Sequence, residues 1–345
     1  MRNFLVTIAF SYMFSLSVNA QLFDGINDIL RTSKQDALEL ASGYTSPIGK
    51  TLTYALNSGW ASSAKTHKKF GFGLSIAGVV PYVSDSDQIF KPSELTSLDL
   101  GSGESLPTVF GKNGGQNLYF DFNEKVLGEE INYKGSIAFP DGLKDQLPFG
   151  TIPVPIVQAS VGLFYGTDFL VRFVPSIKVE SSSFSLSGFG LKHNIMQYFG
   201  PLDKLPLNLS ILAAVSKASF EYDLSNSNYF VGDSSGRKML FEADTFTIQA
   251  LGSIDLPVVS VFGGVGYNSG KSQFDVKGDY SLAYEIDGDI ITRPLGNDPL
   301  SINSEASGVM GIIGARLNLL FLKIFANYTI QEYNTLTAGI SFNFR

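Results

Sequence analysis

Cysteine is absent from all 345 residues. For an exported chain this excludes a disulfide framework and any thiolate metal or redox site. Histidine is almost absent, with His67 and His193 the only two, and neither stands in a nucleophile or metal-ligand pattern. Tryptophan occurs once, at Trp60. Beyond residue 20, no apolar run approaches the roughly 20 residues that a membrane-crossing helix needs. Nor is there a cluster of Lys and Arg able to neutralise phosphates, and the net charge is −7, so no nucleic-acid partner is expected. What remains to hold the chain together is apolar burial and hydrogen bonding.

The opening "MRNFLVTIAFSYMFSLSVNA" places one cation, Arg2, before an apolar stretch from Phe4 to Leu16 and a small residue at Ala20. That layout is a cleaved secretory signal, residues 1–20, too short for a span. Removing it takes Arg2 with it and leaves a mature chain one unit more acidic. Residues 21–66 read as a plug segment. Two helical stretches are expected there, Asp24 to Ala41 with Ile26, Ile29, Leu30, Ala37 and Leu40 on one stripe, and Ile48 to Leu56 started by Pro47.

From Phe70 onward, strand-like segments recur at lengths above those usual in soluble sheets. They are Phe70 to Pro81, Pro153 to Tyr165, Phe169 to Val179, Phe184 to Phe199, Leu205 to Tyr222, Phe241 to Ile254, Val258 to Tyr267 with an extension, Val309 to Leu319, Leu322 to Ile330, and Thr335 to Phe344. Several alternate strictly. In the last, Leu336, Ala338, Ile340, Phe342 and Phe344 share one parity, and Thr337, Gly339, Ser341 and Asn343 the other. One greasy and one polar face per strand is what a barrel wall between lipid and a wet lumen requires. Three long polar connections, about 83–152, 223–240 and 285–307, fall on one side if the C-terminal strand ends in the periplasm.

The fold class expected is therefore all-β: a transmembrane antiparallel β-barrel of 10 to 14 strands over residues 67–345, with a short N-terminal helical plug. Ten strands are read directly, and a hairpin within Asn117 to Ala138 would raise the count to twelve. Last strand pairs with first, leaving no open edge. Phe342 and Phe344 sit where an interfacial girdle and a C-terminal assembly signal for the barrel-assembly machinery would be.

Charges at membrane depth must face a lumen or a partner. Arg172, Lys178, Arg316 and Lys323 lie on polar parities, so they are either pore-lining groups or ion pairs with plug acids such as Asp36 or Glu39; Trp60 is the third plug candidate. His193 reads as a hydrogen-bonded barrel or rim residue and His67 as a solvated junction. The acids Glu285, Asp287, Asp289 and Asp298 lack the calcium-loop pattern and read as a solvated loop. No catalytic residue, cofactor or metal ligand is assigned, and no enzyme activity is expected.

The order of leader, short helical segment, "NSGWASSAKTHKKFGFGLSIAG" and long strands with "SVGLFYGTDFLVRFVPS" and "GFGLKHNI" resembles a group of uncharacterised Bacteroidota outer-membrane barrels. These are distantly similar to FadL-type long-chain fatty-acid transporters, whose barrels carry an N-terminal hatch. Asn57, Ser58, Gly59 and Trp60 stand where those transporters have Asn-Pro-Ala. The resemblance implies a location in the Gram-negative outer membrane, contact with its lipid, and passive uptake of small hydrophobic molecules. The alternative is a non-transporting structural, adhesion or assembly partner in an outer-membrane complex.

Overall fold

The structure, a computed structural model, describes residues 29 and 32–344, apart from 101–104, 113, 127–128, 180, 201–205, 225–235 and 287–288. The expected leader and the first residues of the expected plug lie outside that set. No described helix is long and apolar enough to cross a membrane.

Ten strands close into one antiparallel barrel: β1 (Phe72–Pro81), β2 (Val154–Gly162), β3 (Thr167–Val179), β4 (Ser182–Asn194), β5 (Leu207–Asp223), β6 (Lys238–Asp255), β7 (Val259–Lys277), β8 (Leu300–Leu319), β9 (Leu322–Ile330) and β10 (Thr335–Phe344). Each pairs with the next, and β1 closes on β10 with Ile76 opposite Ile340. Both barrel termini lie at one end, with the short connections 163–166, 256–258 and 320–321; we call this the turn end. The connection 195–206 is also there, and the longest ones, 82–153, 224–237 and 278–299, lie at the other, the loop end.

The hairpin expected within Asn117 to Ala138 forms, as Asn117–Val126 and Glu129–Ala138, but stays out of the barrel. It joins Leu98–Asp99 in a separate three-stranded sheet. In sequence Leu118, Phe120 and Phe122 share one parity with their partners Ile137, Gly135 and Tyr133, and Asp121, Lys125, Glu130 and Lys134 take the opposite one, so alternation alone does not set this hairpin apart from the wall. The loop expected over 285–307 is likewise divided. Asp279–Ile286 and Asp289–Asn297 form a hairpin, whereas 300–307 belongs to β8.

Alternation along the strands sorts the two faces. On β10, Leu336, Ala338, Ile340 and Phe344 are exposed outward, while Thr335, Thr337 and Ser341 are buried inward. On β6, Phe246, Ile248, Ala250 and Ile254 point out and Thr247, Gln249, Leu251 and Ser253 point in. The outward apolar surface has two borders. Towards the loop end, Lys217, Asp244, Lys271 and Glu305 stand directly opposite one another across β5 to β8, all exposed. At the turn end Phe344 stacks on Phe72 at 4.9 Å and on Phe321 at 6.4 Å. Between these borders β6 covers about 25 Å at the rise and tilt of a barrel strand.

Residues Lys34–Asn57 form one continuous helix, α1, where two were expected. Pro47 sits inside it. Pro removes one backbone donor and normally breaks a helix. Here Gly43, whose carbonyl loses that donor, carries no side chain, so the Phe90 ring packs against the break; a Cβ would meet it at 2.1 Å. The hydroxyls of Thr45 and Thr51 donate to Ala41 O and Pro47 O, each at 2.7 Å. The helix fills the lumen with Leu40, Tyr44, Ile48, Ala55 and Leu56, packed with loop residues Leu106, Val109, Phe110 and Leu143 and with inward strand residues.

Candidate functional site: the plugged lumen

The helix enters the lumen from the loop end. Ser33 caps it, its hydroxyl accepting from Asp36 N at 3.1 Å. Asp36 is fully buried and accepts from Thr96 N at 2.7 Å, Thr96 Oγ1 at 2.9 Å, Ser97 N at 2.9 Å and the Ser97 hydroxyl. Burial pushes its carboxyl up, but these donors outweigh it and hold the group below the usual carboxylate range. Glu39 accepts from Ser93 N at 2.9 Å and Ser93 Oγ at 3.0 Å. The plug acids thus fasten a loop to the helix and make no ion pair with the strand cations.

About three turns beyond Glu39, Lys50 donates to Asp87 and to Glu332, each at 2.8 Å. Tyr333 OH donates to Asp87 and Tyr54 OH to Glu332, each at 2.5 Å. Burial pushes Asp87 up and Lys50 down, and their mutual pairing reverses both, leaving Asp87 lowered and Lys50 raised. Plug, loop and the β9–β10 turn meet in this cluster.

The helix ends at mid-barrel against Arg172, which is fully buried. Its Nη1 donates to Leu56 O at 2.8 Å, Nη2 to Ser58 O at 2.8 Å and Nε to Gln158 Oε1 at 2.9 Å. Its guanidinium lies 3.7 Å from the centre of the Trp60 ring. A cation at a helix C-terminus satisfies orphan carbonyls and meets the negative end of the helix dipole. Trp60 is admitted by Gly188 and Gly190 on β4, where a Cβ would meet the indole at 3.3 and 3.2 Å. Gln249 Nε2 donates to Asn57 O and Asn57 Nδ2 to Ser269 O, both at 3.2 Å. Helix and wall are therefore joined by uncharged bonds and one cation.

Below Trp60 a cavity of about 570 Å³ opens towards the turn end. Its wall carries two charged nodes. Asp168, fully buried, meets His67 Nδ1 at 3.0 Å and Lys192 Nζ at 3.3 Å. Arg316 donates to Asp255 at 2.9 Å. His67, expected as a solvated junction, is instead half-buried, held by Asp168 and by Asn343 at 3.2 Å.

Of the four expected lumen cations, Arg172 contacts the plug, while Arg316 and Lys323 line the basin. Lys178 is contradicted: it is exposed on the outer face. A bulge between Val174 and Ile177 inserts one extra residue and reverses the parity, so that Ile177 turns inward and Lys178 outward. Pro175, in mid-strand, was the available signal. Strand counting missed Asp168, Lys192, Gln158 and Gln249. Asp168 shares a face with Arg172 at i, i+4, and Lys192 shares one with Gly188 and Gly190. His193 bonds Thr167 Oγ1 at 2.8 Å and Tyr198 OH at 3.1 Å at the turn-end rim. Phe342 stacks with Phe321 at 6.4 Å and, with Phe344, completes the aromatic border. Among the described residues no His, Asp and Glu gather as a metal site; the side chains of Glu285 and Asp289, and residue 287, lie outside the described set.

Over residues 1–344 the sequence matches the family described as "Family of unknown function (DUF6588)". No curated protein matches it. Among solved structures, the attachment invasion locus protein Ail of Yersinia pestis is 9% identical, over 80% of this chain and 100% of that one, with a TM-score of 0.26. The toluene transporter TodX of Pseudomonas putida is 8% identical, over 87% and 97%, with a TM-score of 0.15. Likenesses of this order carry no function across.

Proposed function

The chain belongs to the family of unknown function DUF6588, and we propose that it is an integral barrel of the Gram-negative outer membrane, exported by its leader and closed by its own N-terminal helix. The observation that carries this reading is the exterior: an apolar band about 25 Å tall, the height of a bilayer's hydrocarbon, between the Lys217–Asp244–Lys271–Glu305 row and the Phe72–Phe344–Phe321 border. In water such a surface is a large exposed apolar patch; in lipid it is satisfied. The loop end faces outward and the turn end the periplasm. Membrane lipid and, through Phe342 and Phe344, the barrel-assembly machinery are the partners this implies. Nucleic acid and cofactors play no part, and the chain is not an enzyme.

On this reading the helix is a gate, and small solutes pass only when it yields. A hydrophobic solute would travel the upper lumen, where Leu40, Tyr44 and Ile48 face Val109 and Phe110. Purified protein in lipid vesicles should then take up a small apolar fluorophore faster than vesicles holding a sealed barrel of similar size. Equal rates sink the transport reading.

A second reading is favoured by the Asp36, Glu39 and Lys50 contacts, which make plug and outer loops one body. It is a non-transporting surface or assembly protein. A stoichiometric companion after mild solubilisation, with no uptake, supports it.

A further inference from the structure

The chain is acidic overall, at −7, yet the basin below Trp60 is lined by five cations, Lys65, Lys68, Lys192, Arg316 and Lys323, and by two carboxylates, Asp168 and Asp255. Both carboxylates are already engaged. Asp168 holds Lys192 and His67. Asp255 holds Arg316 and accepts from Ser63, Ser253 and Asn208. Lys323 donates to Leu320 O, and among the described residues Lys65, Lys68 and Lys323 have no carboxylate partner. Arg316 uses Nε and Nη2 for Asn318, Asp255 and Ser260, leaving Nη1 without a hydrogen bond to any described residue.

Cations crowded into a low-dielectric cleft repel one another and focus a positive field into it. An apolar occupant would strip water from these charges and return nothing. A multiply charged oxyanion would meet them with charge-assisted hydrogen bonds, taking the guanidinium edge of Arg316 and the point charges of the lysines. We propose that the turn-end basin binds a small, multiply charged oxyanion of the phosphate or pyrophosphate type. Phosphoryl groups reach this rim either as free solutes or as phospholipid headgroups. Enclosure of the basin by the barrel wall favours the free solute. The chemistry of the site stands whether or not anything crosses the lumen; only its facing the periplasm rests on the outer-membrane reading.

The test uses the full chain in a non-ionic detergent. Inorganic pyrophosphate is titrated by calorimetry and by the fluorescence of Trp60, the single tryptophan, which lines this cavity. Saturable binding of one equivalent is expected, with an affinity that falls as sodium chloride rises. The double variant Lys65→Gln/Lys323→Gln should weaken it about tenfold or more, as befits the loss of two charge-assisted contacts, while unliganded Trp60 emission and heat-modifiable gel mobility stay unchanged. If that variant does not fold, the salt dependence of the wild-type titration decides. Saturation by phosphatidylglycerol micelles and not by pyrophosphate overturns the proposal, because that headgroup is a phosphodiester with a single charge. No saturable signal from either probe, salt-insensitive binding, or a folded double variant that binds like wild type overturns the proposal. Because the titration is made in detergent, it fails or succeeds separately from cell-surface tests of orientation.

Discussion

Arg172 reaches from β3 to the last turn of the plug helix, holding Leu56 O at 2.8 Å while lying 3.7 Å from the centre of the Trp60 ring. A buried guanidinium with no carboxylate partner among the described residues is unusual, since burial of an unpaired charge is costly. Here four partial compensations act together: two helix-terminal carbonyls, the Gln158 amide oxygen and the indole face.

Arg172→Met should therefore loosen the plug and leave the barrel intact. With the Leu56 and Ser58 carbonyls unpaired, a loss of about 3 kcal/mol is expected. It is read as a lower thermal midpoint of the Trp60 emission and stronger acrylamide quenching. Unchanged quenching would mean that Arg172 is not the anchor.

Acid should release the outer loop from the helix before it opens the wall. Asp36 and Asp87 are both held below the usual carboxylate range. A lowered folded value means that each contributes stability fully present above its unfolded pKa of about 4 and lost as the pH falls through the lower folded value. Lys50, raised by Asp87 and Glu332 against burial, works in the opposite sense: its contribution is present below its ordinary value of about 10.4 and fades as the pH rises through the higher folded one. Amide protection across residues 84–99, taken relative to the intrinsic exchange rate at each pH, should be high at neutral pH and fall below about pH 4. Exchange that is already fast at neutral pH would contradict the pairing.

Orientation is open to chemical labelling, because a cysteine-free chain gives no background. Lys178→Cys, on the outer face near the loop end, should react with a membrane-impermeant maleimide on intact cells. Lys323→Cys, at the turn end, should react only once the cells are opened. The reverse pattern would turn the barrel over. Lys178→Leu itself should change stability by less than about 0.5 kcal/mol.

How much of this was written in the sequence depends on whether the deciding neighbour is local. The β10 alternation and its pairing with β1 were legible because side-chain direction follows a period of two and a barrel leaves no edge. Lys178 was misplaced because a one-residue bulge beside Pro175 shifts the phase for every residue after it. The 117–138 hairpin was recognisable as a hairpin, but its place outside the wall depends on its pairing with Leu98–Asp99, a contact that alternation does not show. Helix continuity through Pro47 depends on Gly43 and on Phe90, a residue brought in by a distant loop. The actual partners of the plug acids were not legible, because Thr96, Ser97 and Ser93 carry no charge to advertise the contact. In the basin, Arg316 was found by parity, whereas Asp168 and Lys192 needed the register that sets β3 against β4.

Closure of the barrel predicts the effect of shortening it. Removing residues 340–345 deletes the half of β10 that pairs with Phe72, Gly73, Leu74, Ser75 and Ile76, leaving β1 and β9 with unpaired backbone in lipid. The truncated chain should stay unassembled, lacking the heat-modifiable mobility of the full one. Normal assembly would refute the part given to this strand.

On the gate reading, α1 and the segment after it, through Trp60, seal the lumen. Single-channel recording in planar bilayers tests it most directly, comparing the full chain with a variant lacking residues 21–65. The full chain should be closed or nearly so, and the variant, still folded by gel mobility, should show a stable conductance severalfold larger. A folded variant that conducts no more than the full chain would mean that wall side chains, not the helix, fill the barrel.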